Sequence, residues 1–277
     1  MEKNQKTVEE YVKEVKRLRG YLLIVCVLGL ILFIPLMTLY LLNYHIGLLG
    51  LFGLFMLVLF STIRVRKKIL QICTILTMEC DPKKYVAINL QLLNKPFYNK
   101  TGINNYQKYF QALSDYYAGD LVEMKKNLED IDFEAGTLDI TLQYYNLLGN
   151  YYKESNDLEG LKATIDAIRS LKSRKKFPRQ IQQFYDSVDT IFYRHYLVLT
   201  NDKNALTKLF DFLATEKEML KKVGLHFEIG KLYLKTATFD QATTHFNYVL
   251  EHGGETYYTV YAQKMIHQMN EEEWTNY

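Results

Sequence analysis

The run YLLIVCVLGLILFIPLMTLYLLN (residues 21–43), then Tyr44-His45, then IGLLGLFGLFMLVLFSTI (residues 46–63), contains no Lys, Arg, Asp or Glu. As helix at 1.5 Å per residue, the first segment reaches about 34 Å and the second about 27 Å. A hydrocarbon core is about 30 Å thick. Soluble core helices of this length carry a polar face, and neither segment has one. The stretch therefore reads as a two-span transmembrane hairpin contacting the bilayer through residues 21–63. A cleaved signal peptide would have a shorter apolar region ending in small residues, which does not match.

Basic residues set the expected orientation. Lys13, Lys16, Arg17 and Arg19 precede the first span, and Arg64, Arg66, Lys67 and Lys68 follow the second. The connection carries neither Lys nor Arg. Both termini are expected on the cytoplasmic side of a plasma membrane. Lys16, Arg17, Arg19, Arg64, Arg66, Lys67 and Lys68 are expected at the membrane surface, each contributing about 1 kcal/mol against anionic headgroups. Pro35 is expected to kink the first span. Gly47, Gly50 and Gly53 either form a close-packing face, against the first span or another copy, or reflect the frequency of Gly in membrane helices.

Charge separates the two parts of the chain. Residues 1–20 hold six basic and four acidic side chains, whereas residue 69 onward holds 24 basic and 27 acidic. That balance argues against nucleic-acid binding. Cys26, Cys73 and Cys80 have no metal-like spacing and fit a reducing compartment, with Cys73 and Cys80 expected on one buried helix face. Lys outnumbers Arg 26 to 8, a bias that points to an AT-rich bacterial genome. Asn99-Lys100-Thr101 matches a glycosylation acceptor, but the expected topology puts it on the wrong side of the membrane.

The remainder reads as helices and turns, with no strand signal. Domains are expected at 1–20 (a short amphipathic helix opened by a Thr7–Glu10 capping box), 21–68 (the hairpin with its basic flank), 69–100 (connecting helices) and 101–277 (a repeat domain). Asp81-Pro82 caps a helix ending before Pro96. Paired helices follow over 106–118 and 121–131, 137–152 and 158–171, and 178–199 and 205–214. A capping box at Thr215–Glu218 opens a helix to about 235, followed by 239–251 and 256–269. Pairs recurring every 34–45 residues are the mark of an α-solenoid.

One unit is explicit: Ile229-Gly230-Lys231-Leu232-Tyr233, then Phe239-Asp240-Gln241-Ala242, then Phe246. It resembles a tetratricopeptide repeat, in which small residues let two helices approach and aromatic residues fill the space around them. A second, partial unit is Leu148-Gly149 with Tyr152, Asn156-Asp157, Leu161 and Ile165. A third has Ala112 in the Gly position and Gly119-Asp120 at the turn. The resemblance covers about residues 102–269 and implies an all-α solenoid that binds a protein or peptide on a concave face lined by first helices. By position, that face would present Tyr106, Tyr109, Tyr116, Asn146, Asn150, Lys153, Phe227 and Lys231. Asn146 and Phe227 depart from the cationic pattern with which the family grips carboxylates.

The cluster Arg169, Lys172, Arg174, Lys175, Lys176 and Arg179 reads either as a solvated loop or as a second contact with anionic lipid. His195, His226, His245, His252 and His267 look scattered, and no nucleotide-loop, hydrolase or kinase motif occurs. The expectation is a binding protein that is not an enzyme and needs no cofactor or metal. It would be a membrane-anchored adaptor, with homo-oligomerisation open. The alternative is an accessory subunit held in a larger membrane complex by its hairpin.

Overall fold

The computed structural model describes residues 6–42, 45–93, 100–132, 137–174, 177–200 and 204–275. Asn99 and Pro96, and the Tyr44 connection, lie outside them. The described residues form twelve helices and no strand, and the chain divides into two compact units, residues 1–75 and 76–277.

The first unit holds α1 (Val8–Leu41) and most of α2 (His45–Thr77). Thr7 and Glu10 make the reciprocal capping box. The expected separate short helix is instead the first turns of α1, because nothing between Arg19 and Tyr21 breaks the helix. Pro35 lies inside α1, which continues through it to Leu41. Both helices are long and apolar enough to cross a membrane. Their apolar side chains are uncovered by protein: Leu30 is 74% exposed, Ile34 72% and Leu49 70%. Gly47 and Gly50 lie against Leu36 and Tyr40 of α1, where any Cβ would overlap them. Gly53 faces open space, so the three-glycine face reduces to two contacts.

Beyond the apolar stretch the two helices remain joined. Lys68 Nζ lies 2.6 Å from Glu14 Oε2 and 5.0 Å from the centre of the Tyr11 ring. Lys68 is buried, so it is a strut between the helices and not part of the membrane-surface set. Lys16, Arg17, Arg64, Arg66 and Lys67 are exposed, and Arg19 is half-buried.

The second unit is an α-solenoid. After Cys80, whose left-handed φ of 53° ends α2, come α3 (Pro82–Leu93), α4 (Lys100–Ala118), α5 (Leu121–Glu129), α6 (Leu138–Glu154), α7 (Leu158–Arg174), α8 (Arg179–Leu199), α9 (Ala205–Thr215), α10 (Met219–Lys235), α11 (Phe239–His252) and α12 (Tyr257–Thr275). Each packs on the next in sequence, and α4 on α6, α6 on α8 and α10 on α12 form an inner row. Two expectations fail locally. Cys73 is exposed, and Cys80 lies beyond the helix in the core, where burial pushes its thiol up to about 11. Thr215 is the last residue of α9, its hydroxyl bonded back to the Asp211 and Phe212 carbonyls, so it opens no capping box.

Three inter-helix turns are built alike. Asp120 N–H bonds the Asp115 carbonyl (2.9 Å), Asp157 N–H the Tyr152 carbonyl (2.8 Å), and Thr238 N–H the Tyr233 carbonyl (3.0 Å). This is the closing bond of a Schellman motif. The left-handed residue before each is Gly119, Asn156 or Ala237. Close approach is also repeated. A Cβ at Gly230 would come within 2.7 Å of the Phe246 ring, and one at Gly160 would overlap Tyr152.

The ends of the array meet. Residues of α3–α6 share one core with residues of α10–α12, including Tyr109, Phe110 and Tyr116 beside Phe227, Phe246 and Tyr257. Separate smaller cores join α6–α8 and α8–α10.

Candidate functional site: a buried ionic axis

Because α12 returns to α4, the inner helices aim their polar side chains at one another. Lys153 and Glu154 end α6, Arg194 and His195 sit on α8, Glu228 and Lys231 on α10, Tyr257 and Tyr258 on α12, and Tyr116 on α4. Lys153, Arg194, His195 and Glu228 are all buried. Charged side chains are almost never this enclosed unless paired.

The pairing is dense. Lys153 Nζ lies 2.9 Å from Glu154 Oε1 and 3.0 Å from Glu228 Oε1. It meets both at ion-pair distance but off the axis of a hydrogen bond. Glu228 Oε1 is also 3.1 Å from His195 Nδ1, and Arg194 Nη2 is 3.9 Å from Glu228 Oε2. Tyr257 donates its hydroxyl to Glu154 Oε1 at 2.7 Å, and Tyr116 and Tyr257 hydroxyls are 2.9 Å apart. Since Tyr257 spends its proton on the carboxylate, Tyr116 is the donor of that pair.

Burial alone would deprotonate Lys153, but Glu154 and Glu228 outweigh it and hold the ammonium firmly charged. Burial would likewise protonate Glu228, but Lys153, His195 and Arg194 hold it well below the usual carboxylate range. Burial, and then the Lys153 charge, lower Lys231. Burial, and then Lys153, push His195 down to about 4, so its ring is neutral at neutral pH.

A neutral imidazole carries one N–H, yet both neighbours of His195 accept. Its Nε2 is 3.1 Å from Asn150 Oδ1. That amide is oriented by its Nδ2, which donates to the Asn146 carbonyl at 2.9 Å. Its Nδ1 faces Glu228. His195 is therefore one proton short of satisfying both neighbours, and Arg194 Nε and Glu228 Oε2 are likewise enclosed without a hydrogen-bond partner.

The eight residues assigned to an open concave face divide. Asn150, Lys153 and Lys231 belong to the axis or its edge. Tyr109, Tyr116 and Phe227 are core side chains and present no open surface, because the solenoid closes over them. Tyr106 is half-buried and donates to Asp139 at 3.1 Å. Asn146 is half-buried, with an enclosed side-chain oxygen. Sequence reading missed Glu154, Arg194, His195 and Glu228. The signal that pointed toward them was Lys153, a lysine on an inner face.

The histidines are not all scattered either. His226 and His245 place their Nδ1 atoms 3.0 Å apart, and His226 stacks on Tyr248 at 3.7 Å. His252 lies 3.7 Å from Glu251. Among the described residues no set of three ligating side chains could hold a metal ion. In the basic cluster, Arg169 bonds Asp189 (3.2 Å) and Lys172 lies 3.8 Å from Asp186, so α8 carboxylates neutralise part of it. Lys175 and Lys176, and the Arg174 side chain, lie outside the described residues.

On the outer surface, α7 and α8 enclose a groove of about 310 Å³ lined by Lys162, Ile165, Asp166, Arg169, Tyr193 and Tyr196. Tyr193 and Tyr196 are exposed, at 41% and 39%. No family model matches this chain, and neither the curated proteins nor the solved structures hold a match to it.

Proposed function

We propose that this chain is a membrane-anchored adaptor of bacterial origin. In this reading both spans cross the plasma membrane and both termini are cytoplasmic. A tetratricopeptide-like solenoid then carries a protein or peptide partner. The observation that carries the reading is the uncovered apolar surface of α1 and α2, flanked at one end by exposed Lys16, Arg17, Arg64, Arg66 and Lys67. Such a hairpin confines its module to two dimensions and raises the effective concentration of weak contacts. Tyr109, Tyr116 and Phe227 of the expected concave face are buried, so in this reading the partner surface moves outward to Tyr193, Tyr196, Lys162 and Arg169. Exposed tyrosines beside cations supply rigid contact area at low entropic cost. Neither enzymatic activity nor a cofactor enters this reading.

One observation favours a second reading, the accessory subunit. A wholly apolar groove of about 540 Å³ runs along the hairpin, lined by residues including Cys26, Gly29, Phe33, Leu54 and Phe55. A transmembrane helix of a larger complex, or of a second copy, would fit there.

Crosslinked recovery of partners from native membranes separates the two. The full chain is run beside a Tyr193→Ala/Tyr196→Ala variant and a version with an unrelated hairpin. A cytoplasmic protein lost only with the tyrosine variant supports the adaptor. A multi-span partner lost only with the exchanged hairpin overturns it in favour of the subunit.

A further inference from the structure

The outer groove between α7 and α8 carries a pattern beyond its two tyrosines. Its α7 wall is Lys162, Ile165, Asp166 and Arg169, spaced i, i+3, i+4 and i+7. That is one stripe of a helix, rising roughly 10 Å from end to end. Ile165 is buried and forms the floor, and the rings of Tyr193 and Tyr196 form the α8 wall. Lys162 and Asp166 stand one turn apart, and neither makes an ion pair or hydrogen bond among the described residues. Arg169 is held by Asp189 at 3.2 Å, in an exposed pair. Both walls are helices, whose backbone groups bond within themselves. An extended peptide would find no main-chain partners there, whereas a helix arrives with its own backbone satisfied.

The same chain carries a helix that matches this trough. On α5, Val122, Lys125, Lys126 and Glu129 repeat the i, i+3, i+4 and i+7 spacing on the outward side. Val122 is 78% exposed, more than Leu30 of the hairpin at 74%. The charges are complementary whichever way the two helices run. Laid antiparallel on α7, the stripe puts Lys125 opposite Asp166 and Glu129 opposite Lys162. Laid parallel, it puts Lys126 opposite Asp166 and Glu129 opposite Arg169. Lys125 now lies 3.9 Å from Glu129, and Lys126 lies 3.1 Å from Glu123. These are surface pairs, which contribute little and exchange readily. α5 packs on α4 and α6 of its own chain. Fixed there, it cannot also lie in its own α7–α8 groove.

We propose that the α7–α8 groove takes α5 of a second copy of this chain. Val122 adds apolar area against the tyrosine wall, and the lysines and Glu129 pair with Asp166 and a groove cation. The contact is head-to-tail, since α5 and the groove are different patches. Each copy offers one of each, so copies join into rows or rings instead of self-complementary pairs. Confinement to a membrane favours such a contact even when it is weak. The inference rests on reading this groove as the outer partner surface, and it names the partner.

The test uses the full chain in the membranes of expressing cells, with p-benzoylphenylalanine in place of Tyr196 and ultraviolet crosslinking. A crosslinked dimer of the chain is expected, with the attachment point mapping to residues 121–129 by mass spectrometry. Asp166→Lys should lower its yield at least about fivefold, because it sets a cation against Lys125 and Lys126. Adding Lys125→Glu and Lys126→Glu to that variant should restore the yield. Val122→Asp, an exposed change that leaves the core untouched, should also lower it, with the fold checked by circular dichroism. No self-crosslinked product, an attachment point outside residues 121–129, or a yield unmoved by Asp166→Lys would overturn the inference. A product with a different protein instead would overturn the second copy and leave the adaptor standing. The expected self-crosslink with no cytoplasmic protein recovered from membranes would support the inference and count against the adaptor alone.

Discussion

Replacing Glu228 with Gln removes one charge from a place where three groups depend on it. The side chain is 1% exposed, and Lys153 and Arg194 approach it at 3.0 and 3.9 Å. At an effective dielectric of about 20, these separations correspond to roughly 5 and 4 kcal/mol of attraction. Part of that offsets the desolvation of the carboxylate, several kcal/mol for a buried ion. Lys153 keeps Glu154 at 2.9 Å, whereas Arg194 loses the carboxylate it faces. The expected net loss is about 3–5 kcal/mol, the usual result of breaking a buried pair. For a unit of this size that lowers the melting temperature by roughly 6–20 °C. Thermal unfolding of the full chain in detergent, followed by circular dichroism, measures it. Glu228→Leu combined with Lys153→Met removes both opposed charges and should cost at least about 2 kcal/mol less than the two single changes added together. A Glu228→Gln shift below about 2 °C, or strict additivity in the pair, would refute the claim that these charges hold the solenoid shut.

His195 makes stability depend on pH. Its folded pKa of about 4 lies below the ordinary 6.5, so the unfolded chain takes up a proton that the folded chain refuses. Stability from this group is full above pH 6.5 and falls toward pH 4, by up to about 1.4 kcal/mol per pH unit. His195→Gln should flatten that slope in urea titrations, and an unchanged slope would place the effect elsewhere. Ala237 holds the left-handed φ of 53° that glycine has in the first turn, so Ala237→Gly should raise stability by up to about 1 kcal/mol in the same melts. Topology is readable from thiols. Cys73 is exposed and Cys80 buried with a raised thiol pKa, so a membrane-impermeant maleimide should label Cys73 in sealed right-side-out vesicles only after permeabilisation. Labelling of intact vesicles would reverse the proposed orientation.

The hairpin and the helix pairs were legible because they depend on local signals. Charge-free runs of span length, the caps at Thr7 and Asp81, and the turn at Gly119-Asp120 need no knowledge of distant residues. The Gly230–Phe246 contact was legible for the same reason, since both residues sit in one helix pair. The Thr215 error arose where local signals tie. A threonine three residues before a glutamate can open a helix or bond backward to end one, and the core beneath Leu209 and Leu213 settled it in favour of ending α9.

The site was legible only in part, because its partners lie far apart in sequence. Lys153 meets Glu228, and Tyr116 meets Tyr257, only if the array curves until α12 reaches α4. Curvature in a solenoid is the sum of small rotations set by side-chain volumes at each helix contact. Gly149 against Phe192 and Gly160 against Tyr152 are two such contacts. A motif describes what one repeat looks like and carries no term for that sum. The same tyrosines that an open array would show to a peptide therefore become, in a closed one, the wall of its interior. Charge offers the remaining clue. A buried lysine and glutamate are stable together and costly apart. An inner-face Lys153 in one repeat and Glu228 in another are thus more informative as a pair about closure than either is alone about binding.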